Sequence, residues 1–136
     1  MKTGPSITGL PALTVLVLYG AFLAAPAAAG DLREYRKPAF QAARSSGAPV
    51  VLVFHASWCP VCAQQKLALE KVIEEKEFGK IQVFLADYDS SSELKRELGV
   101  ASQSTLILFR SGRELGRLTG VTDSGEIRRF LRKGLR

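Results

Sequence analysis

The chain has 136 residues, 46% of them hydrophobic, and a formal charge of +6 from 19 basic and 13 acidic side chains. That length allows one domain with a modest core. It carries 2 cysteines, so close together that a bond between them would restrain the unfolded chain very little, which excludes a disulfide-stapled scaffold. The basic excess has no aromatic-basic motif around it, which argues against nucleic acid as a partner.

Residues 1–29 read as an export signal rather than as part of the fold. Lys2 is the only charged side chain before Asp31, and the stretch from Leu10 to Ala25 is mostly apolar. Ala27-Ala28-Ala29 then places small residues at a cleavage site before Gly30, the order of a secretory signal peptide. The rival reading is an uncleaved anchor, because the uncharged run from Thr3 to Gly30 is long enough to span a bilayer. The small-residue site and the helix-breaking Pro26 favour cleavage. Either way Lys2 stays inside, and residues 30–136 form one domain outside the cytoplasm.

In that domain Pro38 to Ser46 is expected to be a helix, with Pro38 in its first turn, Gly47 at its stop, and Phe40 and Ala43 facing inward. Val50 to His55 is apolar throughout until its last residue and reads as a central strand. A second helix runs from about Cys59 to Lys76. Cys62, Leu69 and Ile73 share one of its faces, which buries Cys62. Ile81 to Ala86 is a second strand. Ser90 and Glu93 form a capping-box pair for a short helix ending near Gly99. Thr105 to Phe109 is a third strand, turned by Ser111-Gly112 into a fourth from Glu114 to Thr119. Asp123 and Glu126 repeat the capping pattern before a last helix through Phe130 and Leu131. The order α-β-α-β-α-β-β-α predicts an α/β domain with a central four-stranded mixed sheet flanked by helices. The late cations Arg128, Arg129, Arg132, Lys133 and Arg136 read as a solvated helix face; contact with anionic lipid or an acidic partner is the alternative.

Trp58-Cys59-Pro60-Val61-Cys62 lies where the central strand gives way to a helix. Cys-x-x-Cys in that setting is the pattern of a redox dithiol. The first thiol sits where unpaired helix N–H groups favour its thiolate, so Cys59 is expected to be exposed and reactive. Pro60 suits the first helical turn and has no N–H to donate. Trp58 shields the sulfur and offers substrate an apolar contact. His55 is either a packed polar residue or a modulator of Cys59. His55, Cys59 and Cys62 also supply three soft donors, but no fourth is evident, and no metal is expected.

These residues resemble the thioredoxin family. The resemblance is carried by Phe54-His55-Ala56-Ser57-Trp58-Cys59-Pro60-Val61-Cys62, Ala86-Asp87-Tyr88-Asp89 and Leu98-Gly99-Val100. It continues through Thr105-Leu106-Ile107-Leu108-Phe109 and Gly112-Arg113-Glu114-Leu115-Gly116-Arg117, covering about Ala39 to Leu131. It implies a thioredoxin fold and thiol–disulfide exchange, with Cys59 as nucleophile and Cys62 as buried resolving thiol. The cofactor requirement is then none beyond the redox-active disulfide Cys59–Cys62. The implied partners are protein thiols and disulfides and a membrane electron donor or acceptor, met by a periplasmic monomer that touches the membrane only through its signal segment. Pro60 after the first cysteine is similar to the glutaredoxin and periplasmic-oxidant motifs and points to a couple less reducing than thioredoxin's. The alternative is a non-enzymatic module that binds a metal or a partner protein through the dithiol region.

Three positions depart from the family. Ser104 stands where the family has a cis-proline, Val53 where it has a buried acid, and Leu85 where it has the associated lysine. A cis bond before a non-proline residue costs about 2.5–4 kcal/mol. Gln103–Ser104 is therefore expected to be trans, with an altered loop and the Ser104 hydroxyl free to approach the sulfurs. With the acid gone, water or another group must move the Cys62 proton.

Overall fold

The computed structural model describes Gly4, Gly30 and residues 32–136. The expected signal segment, 1–29, lies outside the described residues apart from Gly4. Among the described residues no helix is long and apolar enough to cross a membrane.

The sheet has five strands, one more than the sequence pattern predicts: β1 (Leu32–Glu34), β2 (Val50–His55), β3 (Gln82–Asp87), β4 (Thr105–Arg110) and β5 (Arg113–Thr119). They lie in the order β1-β3-β2-β4-β5. The extra strand, β1, runs parallel to β3 with Arg33 opposite Phe84. It has three residues, two of them charged, so it carries no apolar alternation to read. It forms because β3 offers it an open edge, and a short charged strand is a common way to close one.

The helices are α1 (Lys37–Ser45), α2 (Pro60–Ile73), α3 (Ser92–Leu98) and α4 (Ser124–Leu131). α2 ends earlier than its apolar pattern suggests. A 3-10 turn at Lys76–Phe78 follows and swings Phe78 into the core. The capping box expected at Ser90 and Glu93 does not form. Asp87 captures both the N–H and the hydroxyl of Ser90, and α3 begins at Ser92 without a side-chain cap. Asp87 thus takes the Ser90 N–H that the Glu93 carboxylate would accept in a capping box. At α4 the expected cap is present: Asp123 accepts the Glu126 N–H at 2.7 Å.

Side-chain alternation divides the core in two. Val51 and Val53 of β2, Val83 of β3, and Leu106 and Leu108 of β4 pack under α2 and α4. Val50, Leu52, Phe54, Phe84, Ile107 and Phe109 pack on the opposite face with Phe40 and Ala43 of α1 and Leu94 of α3. Coverage on both faces explains why β2 is apolar along nearly its whole length. β2 pairs in parallel with β3 and antiparallel with β4, Phe54 facing Thr105. The end of β2, which feeds the Cys motif, therefore lies beside the start of β4, which carries Ser104.

Two of the five late cations are engaged in ion pairs. Arg128 grips Glu75 through both carboxylate oxygens, and Arg132 pairs with Glu77 at 2.7 Å. Both pairs tie α4 to the segment that follows α2.

Candidate active site

α2 begins at the dithiol. Cys59 is its N-cap residue, and its sulfur accepts the Cys62 N–H at 3.2 Å. Pro60 occupies the first helical position, where its missing N–H costs nothing. This cap pulls the Cys59 sulfur back over the helix terminus. The sequence suggests an exposed thiol, yet Cys59 is only 6% exposed and Cys62 2%. Both pack with Ala56, against Tyr88. Trp58 and Val61 project outward beside them. The Trp58 indole N–H donates to the Asp89 carboxylate at 2.8 Å, which fixes the ring at the rim of the site.

Ser104 closes the site from the other side. The Gln103–Ser104 bond is trans, and the expected local alteration is a φ of +57° at Ser104. Its N–H donates to the Phe54 carbonyl at 2.9 Å, a bond that no proline could make. Its carbonyl accepts the Gly120 N–H and the Gln65 side-chain amide, each at 2.9 Å. The hydroxyl then lies 2.9 Å from the Cys62 sulfur and 3.5 Å from the Cys59 sulfur.

These contacts lower the Cys59 pKa. The Cys62 thiol acts most strongly, followed by the Ser104 hydroxyl, while the backbone N–H groups of Cys62 and Val61 add smaller effects. Burial pushes the other way without reversing the result. All four favourable partners are neutral, so the thiolate is held by hydrogen bonds and not by a neighbouring cation.

His55 ends β2 on the sheet face shared by Val51 and Val53, next in register to Asp87. Its carbonyl accepts the Tyr88 N–H at 2.8 Å. Its buried Nδ1 has no hydrogen-bond partner and does not join either sulfur. Among the described residues no three histidine, cysteine, aspartate or glutamate side chains gather as a metal-donor set.

Two contributors escape a motif search. Gln65 is 1% exposed and bridges the Ser104 and Val121 carbonyls. Its signal is a polar residue three positions after Cys62, on the buried face of α2. Asp89 reads as a turn residue, and only the fold shows that it holds Trp58.

The thioredoxin-like domain family matches residues 36–135. Mitochondrial thioredoxin of Bos taurus is 33% identical over 89 residues, covering 65% of this chain and 53% of the relative. The chain thus spans about half the length of the curated relatives it first matches. Thioredoxin of Mycobacterium bovis is 33% identical over 87 residues, covering 64% of this chain and 74% of that one. Among solved structures, Trxlp from Edwardsiella tarda superposes with a TM-score of 0.72 at 35% identity, covering 74% of this chain and 98% of that chain.

Proposed function

This chain belongs to the thioredoxin-like domain family, and from that membership we propose that it is a thiol–disulfide oxidoreductase of the bacterial cell envelope, working in the reducing direction. The observation that carries the reading is the Cys59 sulfur at the N-terminus of α2, accepting the Cys62 N–H with Cys62 one helical turn behind it. The Cys59 thiolate attacks one sulfur of a protein disulfide. A mixed disulfide forms and the other substrate sulfur leaves as a thiolate. Cys62 then attacks Cys59, the substrate's second sulfur departs with the electron pair, and Cys59–Cys62 is left oxidised. Two electrons have passed from the dithiol to the substrate. A membrane electron donor restores the dithiol.

The signal pattern of residues 1–29 supports the envelope location. The direction is supported by the likeness to thioredoxins; the lowered Cys59 thiol stabilises the reduced form and moves the couple toward the oxidising side of thioredoxin.

The test is a redox titration of the Cys59–Cys62 couple, followed by Trp58 fluorescence. A value somewhat above the thioredoxin level of about −270 mV is expected; one near about −120 mV marks a disulfide donor and reverses the proposed direction. Cys62→Ser should trap a mixed disulfide with substrate, and Cys59→Ser should abolish exchange. A protein with no reversible two-electron transition is not an oxidoreductase, and metal analysis then tests the binding-module reading. A mature N-terminus at Gly30 in an envelope fraction is the expected result for the location.

A further inference from the structure

Ser104 and Ser111 are the two described non-glycine residues with positive φ. Ser111 needs no special account, because Ser111-Gly112 is the two-residue turn between β4 and β5, where positive φ matches the strand twist. Ser104 precedes a strand, and its conformation is one that a residue with a Cβ adopts only when its surroundings enforce it. Three hydrogen bonds on its own N–H and carbonyl do so, and one of them comes from the buried Gln65 amide. Their joint result is to hold a hydroxyl that is almost wholly buried against both sulfurs.

A serine hydroxyl can accept one proton and donate its own. The position matching the family's buried acid is Val53, which packs in the apolar cluster under α2. The proton of Cys62 has no carboxylate to go to from that position.

We propose that the Ser104 hydroxyl is the catalytic proton relay of the dithiol, accepting the Cys62 thiol proton while donating its own toward Cys59 and the sulfur leaving it. The proposal rests on the exchange reading above. In the resting dithiol the Cys62 S–H and the Ser104 O–H both favour the Cys59 thiolate; once Cys59 is bonded to substrate, the Cys62 S–H turns to the Ser104 oxygen and the Ser104 O–H to the leaving sulfur. In the resolving step the Cys62 sulfur bonds to the Cys59 sulfur and the bond from Cys59 to the substrate sulfur breaks. The leaving sulfur takes the electron pair and the serine proton, and the Cys62 proton replaces it on Ser104. The serine emerges unchanged, and one proton has moved from Cys62 to the product thiol.

Ser104→Gly tests this, because glycine takes a φ of +57° without strain while losing the hydroxyl. Its thermal midpoint should match or exceed that of the parent protein. Two readouts are taken on purified reduced protein. In the first, ultraviolet thiolate absorbance against pH should show the Cys59 titration rising by about one pH unit, the scale of one lost hydrogen bond to a charged group. In the second, Cys59 is loaded with glutathione, an alkyl thiol that takes up a proton as it leaves, and its release by Cys62, followed by mass spectrometry, should slow at least about tenfold. Ser104→Ala should behave likewise and serves if the glycine variant misfolds. A titration and a release rate both equal to those of the parent would overturn the relay. Failure to exchange with any protein disulfide would instead refute the function proposed above, since titration and glutathione release judge the hydroxyl without a protein substrate.

Discussion

The Gln65 amide holds the segment containing Ser104 onto the helix containing the cysteines, and Gln65→Ala should release it. The side chain is buried and donates twice, at 2.9 Å to Ser104 and at 3.0 Å to Val121. Each bond contributes about 1 kcal/mol net. Ser104 keeps the Gly120 N–H as a second donor, and the Val121 segment is only half-buried, so neither carbonyl bears the full cost of an unpaired buried group. Truncation also leaves a small hole beneath α2, adding about 1 kcal/mol. The sum is about 3 kcal/mol. Urea unfolding of the reduced protein, followed by Trp58 fluorescence, reads it directly. With a denaturant slope of about 1.5 kcal/mol per molar, the midpoint should fall by about 2 M. The variant should also carry an upward shift in the Cys59 titration, because the Ser104 hydroxyl loses one of its three anchors. A midpoint change under about 0.5 M would refute the reasoning, and would mean that the loop is held by the Phe54 and Gly120 bonds alone.

Two further outcomes follow from the same geometry. The native Cys59 pKa lies below the ordinary thiol value of 9.0. Between those two values the unfolded chain binds more protons than the native one, so the stability of the reduced protein should rise with pH across that window. The gain should disappear as pH falls through the native pKa, and it should be absent from Cys59→Ser; equal pH profiles for the two proteins would contradict the lowered thiol. Asp123→Ala removes the cap that accepts the Glu126 N–H and should cost about 1 kcal/mol by the same urea assay, with Asp123→Asn nearly neutral. Equal midpoints for the alanine variant and the parent would show that the ion pairs from Arg128 and Arg132 anchor α4 by themselves.

Several features were determined by the sequence alone, because each is a local property of its own segment. The apolar run of β2, the buried face of α2, the Ser111-Gly112 turn and the Asp123 cap all depend on neighbours close along the chain. The Cys-x-x-Cys pair at a strand-to-helix junction likewise places both sulfurs at a helix N-terminus. The missing proline at Ser104 already implied a trans bond and a hydroxyl near the sulfurs. What only the tertiary structure decided depends on chain segments far apart. β1 has no pattern of its own and exists because β3 leaves an edge for it. Asp87 rather than Glu93 takes the Ser90 N–H ahead of α3, through competition between acceptors. The burial of Cys59 comes from the Cys62 N–H and Ser104 acting together on one sulfur. The positive φ of Ser104 is enforced by Phe54, Gly120 and Gln65, which stand 50, 16 and 39 positions away along the chain. Hydrogen bonds between such distant positions leave no periodic trace in a sequence, so the device that holds the hydroxyl on the dithiol becomes legible only once the chain has folded.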